Sequence, residues 1–215
     1  MKKLLILVLV LLLIPFGCEK REKNTLDTSN LKKSDQSRLT KEQRKMIPIT
    51  YESSSLEEEG LEALPFTIKI PNKLPFKVKP IESLYISDVG HNGKKLNVSY
   101  MLSHFSKSKS FGMNVTIYNY KPELESELES EEPNEIVQLK DGVSGTYTGI
   151  SSSIGVSYKL DKSKKADEDD IEKDLIQNTL VFEKGGLYYE LAFVANNGTA
   201  EQIKRYVTNI ANQMM

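Results

Sequence analysis

Leu96-Asn97-Val98-Ser99-Tyr100-Met101-Leu102-Ser103 is the stretch that decides the fold class. Leu96, Val98, Tyr100 and Leu102 fall on one side, and Asn97, Ser99 and Ser103 on the other. That is the period-two pattern of a strand with one face buried. Phe111, Met113, Val115 and Ile117 repeat the pattern a few residues later, and the polar run Lys107-Ser108-Lys109 supplies the connection. Two long alternating runs in succession predict an antiparallel pair.

The same signal recurs on both sides. Phe66, Ile68 and Ile70 alternate with Thr67 and Lys69 and predict a strand that Pro71 stops; Pro75 and Pro80 bracket a short extended piece. Leu84 and Ile86 predict another strand, closed by Asp88-Val89-Gly90-His91-Asn92-Gly93, in which Asn92-Gly93 is a strong hairpin signal. Between 123 and 135 there are seven glutamates and no basic residue, and this stretch reads either as a loop or as one helical turn on Leu124 and Leu128. Strands are expected again at 136–139, 143–150 and 156–160, with a charged excursion at 162–174. Residues 179–182 and 187–194 flank Gly185-Gly186, a glycine pair joining two runs rich in β-branched and aromatic residues.

The period changes at the end of the chain. Thr199 and Gln202 have capping-box spacing, and Ile203, Val207, Ile210, Ala211 and Met214 recur at helical intervals. Thr40 and Gln43 have the same spacing ahead of a short helix that Pro48 limits. The expected fold class is α+β: a curved antiparallel β-sheet with a C-terminal amphipathic helix packed on one face, so that both apolar sets are buried together. The expected organisation is a leader at 1–17, Cys18 with a flexible charged tether at 18–63, and one globular domain at 64–215, a length suited to a single core.

The leader carries the address. A basic start, an apolar core of roughly 7–15 residues and a small residue before the cut describe a secretory signal; Lys2 and Lys3, residues 4–14 and Gly17 fill those roles. The run is shorter than the roughly 20 apolar residues of a spanning helix, and Glu19-Lys20-Arg21 follows Cys18 directly. Ile14-Pro15-Phe16-Gly17-Cys18 resembles the lipobox of bacterial lipoproteins, with Pro15 where leucine is usual. The resemblance implies a diacylglycerol on Cys18 and attachment to the extracytoplasmic face of the cell membrane. Without acylation, the only cysteine of an exported chain would remain a free thiol.

From 19 to 45 there are nine Lys and Arg against five Asp and Glu, although the whole chain has net charge −1. The low hydrophobicity of this stretch predicts a disordered linker. Its basic surplus suits either an anionic membrane surface or a solvated spacer. With no aromatic residues interleaved in the basic cluster, nucleic acid is not an expected partner.

The globular part resembles an uncharacterised family of extracytoplasmic domains found at the C-terminal ends of some anti-sigma factors and in Gram-positive lipoproteins. The residues carrying the likeness are Ile70-Pro71-Asn72-Lys73-Leu74-Pro75-Phe76, Val98-Ser99-Tyr100, Val115-Thr116-Ile117-Tyr118, Leu180-Val181-Phe182, Gly186-Leu187-Tyr188-Tyr189 and the closing helix. Phe76 stands where that family usually has glycine. The resemblance implies a sheet-and-helix module with a sensory or binding role, and it supplies no catalytic residues.

An enzyme needs convergent ionisable groups, and this chain has few candidates. His91 falls in a turn and His104 at a strand end; no serine stands in a Gly-x-Ser-x-Gly elbow. Asp167-Glu168-Asp169-Asp170, with Glu172 and Asp174, lacks the glycine and terminal glutamate spacing of a calcium loop. No catalytic residue, metal ligand or cofactor is therefore expected. Tyr118, Tyr120, Tyr147, Tyr158, Tyr188 and Tyr189 lie on or near strands; their rings either pack beneath the helix or face a peptide, glycan or lipid. The expected role is a membrane-anchored, non-enzymatic binding or sensory module for an envelope protein or glycan. The alternative is a carrier holding an apolar ligand or acyl chain between sheet and helix.

Overall fold

The structure, a computed structural model, describes residues 24–74, 81, 83–105, 110–123, 134–150, 176–195 and 199–215. Among the described residues, nine antiparallel strands form one open sheet. They are β1 (Lys32–Lys33), β2 (Ile49–Glu52), β3 (Tyr85–Asp88), β4 (Leu96–Phe105), β5 (Ser110–Tyr118), β6 (Glu135–Gln138), β7 (Ser144–Ile150), β8 (Ile176–Lys184) and β9 (Leu187–Ala195). Strands β1 to β5 step in order from one edge to the middle. The chain then crosses to the opposite edge, and β6 to β9 step back, so that β9 pairs with β5. Among the described residues there are two α-helices, α1 (Lys41–Met46) between β1 and β2 and α2 (Ala200–Ala211) after β9, with a π-helical segment at Leu56–Leu61 and a 3-10 turn at Lys140–Gly142.

Local chemistry explains the tight connections. Gly185 and Gly186 have φ of 61° and 77°, the left-handed pair that a two-residue hairpin turn needs between β8 and β9. In the β3–β4 turn His91 and Gly93 also have positive φ, and the Gly93 N–H donates to Asp88 Oδ2 at 2.8 Å, which satisfies a buried carboxylate oxygen.

Alternation sorts the side chains as the sequence predicts. Leu96, Val98, Tyr100 and Leu102 of β4 are buried, as are Phe111, Met113, Val115 and Ile117 of β5. Tyr189, Leu191, Phe193 and Ala195 of β9 join them from across the central pair. Helix α2 packs against this face, with β9 and β8 as its strand neighbours. It starts at a capping box between Thr199 and Gln202, and Ile203, Val207, Ile210, Ala211 and Met214 are buried.

Two expectations are corrected. Of the expected tether 18–63, the described part, 24–63, is built into the fold. Strand β2 pairs with β3 over its whole length, Leu26 N–H donates to Gly93 O at 2.8 Å, and Asp27 N–H donates to Ala63 O at 2.9 Å. This polar stretch needs no core of its own, because Ile49-Thr50-Tyr51 extends a sheet that already has one. The globular unit therefore does not start at Leu64. The second correction concerns 66–70, which shows the expected alternation in burial but belongs to no strand. Alternation reports which side chains face the core and not whether the backbone has a ladder partner. Here the chain runs on beside the end of α2, where Gln213 Oε1 accepts from Asn72 N and Lys73 N at 3.2 and 2.8 Å. The expected strand at 156–160, the connection at 107–109, the excursion at 162–174 and most of the glutamate-rich stretch lie outside the described residues.

Burial ranks the expected cost of substitutions. Leu191→Ala at the centre of the sheet is expected to lower unfolding free energy by about 2–5 kcal/mol, Thr199→Ala at the helix cap by ~1 kcal/mol, and exposed Met101→Ala by no more than about 0.5 kcal/mol. Urea denaturation measures all three, and a Met101→Ala cost equal to that of Leu191→Ala would contradict the assignment of faces.

Candidate functional site

The strand positions that point away from α2 form a second face. Strand register aligns them in rows across the sheet. One row runs Ser87, Asn97, Tyr118, Tyr188, Glu183, and the next runs Tyr85, Ser99, Thr116, Glu190, Val181, Thr146. A third runs Met101, Asn114, Ala192, Thr179, Thr148. Met101 is 58% exposed and Tyr85 46%, although both lie within the sheet, and Asn114 beside Met101 is exposed as well. Water therefore reaches the middle of this face.

Hydroxyl, amide and aromatic groups dominate the rows, and they bond to one another along the surface. Tyr118 OH donates to Glu190 Oε2 at 2.8 Å, a diagonal contact between neighbouring strands. Tyr120 meets Tyr118 edge to face with ring centroids 5.6 Å apart, and Lys95 Nζ lies 4.5 Å over the Tyr120 ring, within cation–π range. Asn114 Nδ2 donates to Thr116 Oγ1 at 3.3 Å. The result is an aromatic corner of Tyr118, Tyr120 and Tyr188 at one end of a polar face.

Electrostatics follow from this placement. Burial comes first in holding the Tyr118 phenol well above its ordinary value; its hydrogen bond to the Glu190 carboxylate and the nearby negative charge add to the effect. Tyr188 is raised by desolvation and then by its bond to Glu183. On the covered face, burial raises Tyr100 and Tyr189. All four phenols stay protonated near neutrality; Tyr118 donates to Glu190, whereas the Tyr100 hydroxyl is buried without a hydrogen-bond partner. A face of this composition can recognise a peptide or a sugar by stacking and hydrogen bonding.

The residues singled out in the sequence separate clearly. His91 sits in the β3–β4 turn with Nε2 2.8 Å from Ile47 O, whereas His104 lies near the other end of β4, half-buried and opposite Phe111. The length of a strand keeps them apart. Among the described residues, no group of three or more His, Cys, Asp or Glu could hold a metal ion. Cys18, Tyr158 and the acidic run at 167–174 lie outside the described residues. Of the other tyrosines, Tyr147 and Tyr189 pack inside, Tyr147 donating to Asn178 Oδ1 at 2.7 Å, while Tyr118, Tyr120 and Tyr188 remain half-buried. Glu190, Met101 and Lys95 went unmarked in the sequence. The available signal was parity: each occupies the polar side of an alternating run, or the residue just before one.

The tyrosines give the fold a sensitivity to alkali. A phenol raised in the native state keeps a proton that the unfolded chain releases near pH 10, so the unfolded state binds fewer protons and stability falls as pH rises beyond about 10. Ultraviolet titration of phenolate, with Tyr118→Phe as the difference, is expected to place Tyr118 above ordinary tyrosine. Glu190→Gln should move it down but not to the ordinary value, because burial remains; an unchanged titration would remove Glu190 from the account. Comparison with protein-family models, curated proteins and solved structures found no significant match to this chain.

Proposed function

We propose that this chain is an extracytoplasmic lipoprotein held at the cell membrane by acylated Cys18, and that it works there as a non-enzymatic binding or sensory module for an envelope protein or glycan. In this reading the sheet curves around its core, the amphipathic α2 closes one face, and the opposite face is left for the partner. The observation that carries the reading is the solvent-reached centre of that face, where Met101 and Asn114 sit beside each other on strands β4 and β5, whose other side is buried. A hydrophobic and polar mixture at the middle, with tyrosines at one end, is the composition of recognition surfaces.

The leader supports the address. Residues 4–14, Gly17 and Cys18 stand in lipobox order, and two or more acyl chains on one residue give the stable attachment that a single chain, at about 0.8 kcal/mol per buried methylene, does not. The likeness to domains at the ends of anti-sigma factors supports a sensory role on the same side of the membrane.

Two measurements test the parts separately. Metabolic labelling with palmitate is expected to mark the wild-type chain and leave Cys18→Ala unlabelled; equal labelling would place the acyl group elsewhere. Crosslinking in intact membranes, followed by capture through a C-terminal tag, is expected to recover one reproducible envelope neighbour with the wild type. Met101→Arg and Asn114→Arg should reduce that recovery at least about tenfold, the loss of roughly 1.4 kcal/mol, without moving the unfolding midpoint. An unchanged neighbour in both variants would rule out this face as the contact.

A further inference from the structure

We propose that the end of the sheet at which the chain enters the fold is a docking surface for an anionic lipid bilayer. The proposal rests on the reading of Cys18 as the acylated residue, and three observations lead to it. The first is where the chain arrives. Leu26 N–H bonds to Gly93 O in the β3–β4 turn, so the described chain begins against that turn. Only six residue steps separate Cys18 from Asn24; at no more than about 3.6 Å per residue they reach about 20 Å, whatever their conformation. Strand β4, ten residues long, spans roughly 33 Å at ~3.3 Å per residue. A lipid on Cys18 thus keeps the entry end nearer to the membrane than the far end.

The second observation is what stands at that end. Ile49 of β2 pairs with Asp88 at the end of β3, and His91 Nε2 donates to Ile47 O at 2.8 Å, which fixes the close of α1 beside the same turn. Helix α1 buries none of its residues. It is held instead by its capping box and by Arg44, whose guanidinium donates to Leu39 O and Ser37 O at 3.0 and 3.1 Å. Met46 is 84% exposed, the most exposed of the described large hydrophobic residues, and its neighbour Ile47 is 37% exposed. A single exposed methionine is ordinary on a protein surface. Two adjacent apolar residues at the tip of an otherwise charged helix, next to the chain's point of entry, match an interfacial contact better than a core.

The third is charge. Residues 33–48 contain five Lys and Arg against two Asp and Glu, and the β3–β4 turn adds Lys94 and Lys95 with no acid between 89 and 95. Tyr120, under the Lys95 ammonium, is the kind of amphipathic ring that settles at headgroup level. Basic residues within a Debye length of about 8 Å feel the surface potential of an anionic leaflet. The docked arrangement stands the strands away from the membrane, with Met46 and Ile47 in the headgroup boundary.

The test uses the full lipidated chain on vesicles of phosphatidylcholine with or without phosphatidylglycerol. Met46→Cys and, at the opposite end, Glu201→Cys each carry a bimane fluorophore; labelling of the unsubstituted chain supplies the blank for Cys18. Quenching by spin-labelled lipid is expected to be at least about twofold greater at 46 than at 201 on the anionic vesicles. Lys41→Glu with Lys45→Glu should at least halve it, as should ~1 M salt, which shortens the Debye length to about 3 Å. If the chain stays on neutral vesicles but quenching is equal at 46 and 201 on the anionic ones, docking is overturned and the anchor stands. Retention on anionic vesicles only, with position 46 quenched, keeps the docking surface and removes the anchor. Retention on neither removes both.

Discussion

The pairing of β5 with β9 is the contact on which the rest of the molecule depends. It joins two meanders into one sheet, and it sets Val115 against Leu191 and Ile117 against Tyr189 on the covered side. Phe111 and Phe193 lock the same seam with ring centroids 4.6 Å apart. A slip of one residue here would send every apolar side chain of four strands to the other face. Burial on one side therefore protects the register, and the register in turn fixes which polar groups meet on the other side.

That dependence explains the character of the outer face. Tyr118 and Glu190 are far apart in sequence and meet because β5 and β9 hold one register. The rows of serine, threonine and asparagine are not selected by the core, which touches only their neighbours. Most of them are half-buried, with Asn114 exposed, and the ladders beneath hold them in fixed rows.

How much could be read from the sequence varied with the range of the interaction. The alternation of 96–103 and 111–118, the Gly185-Gly186 turn and the spacing of Ile203, Val207, Ile210 and Ala211 are local signals, and each appears in the structure as the sequence suggests, whereas Met214 is buried just beyond the end of the helix. The β5–β9 seam was not legible, because alternation says which side of a strand is apolar and nothing about which strand lies next to it. Ile49–Glu52 is too short to announce itself, and its place in the sheet comes from pairing with β3 on one side and β1 on the other. The candidate surface was half legible for the same reason: strand tyrosines could be named and parity separates Tyr188 from Tyr189, but only the register brings Glu190 to Tyr118.

The seam also orders events in time. Strand β5 ends at Tyr118 and its partner β9 begins at Leu187, so the centre of the sheet must wait for β9, the last of the described strands in chain order. Until then β5 is an edge, with unpaired backbone groups and four large apolar side chains on one side. A long loop must close before that edge is covered, which makes the step slow relative to the local hairpins. The first half of the chain is thus exposed to wrong pairing for longest, and β9, followed at once by the capped helix, ends that interval by filling the sheet edge and covering its apolar face together.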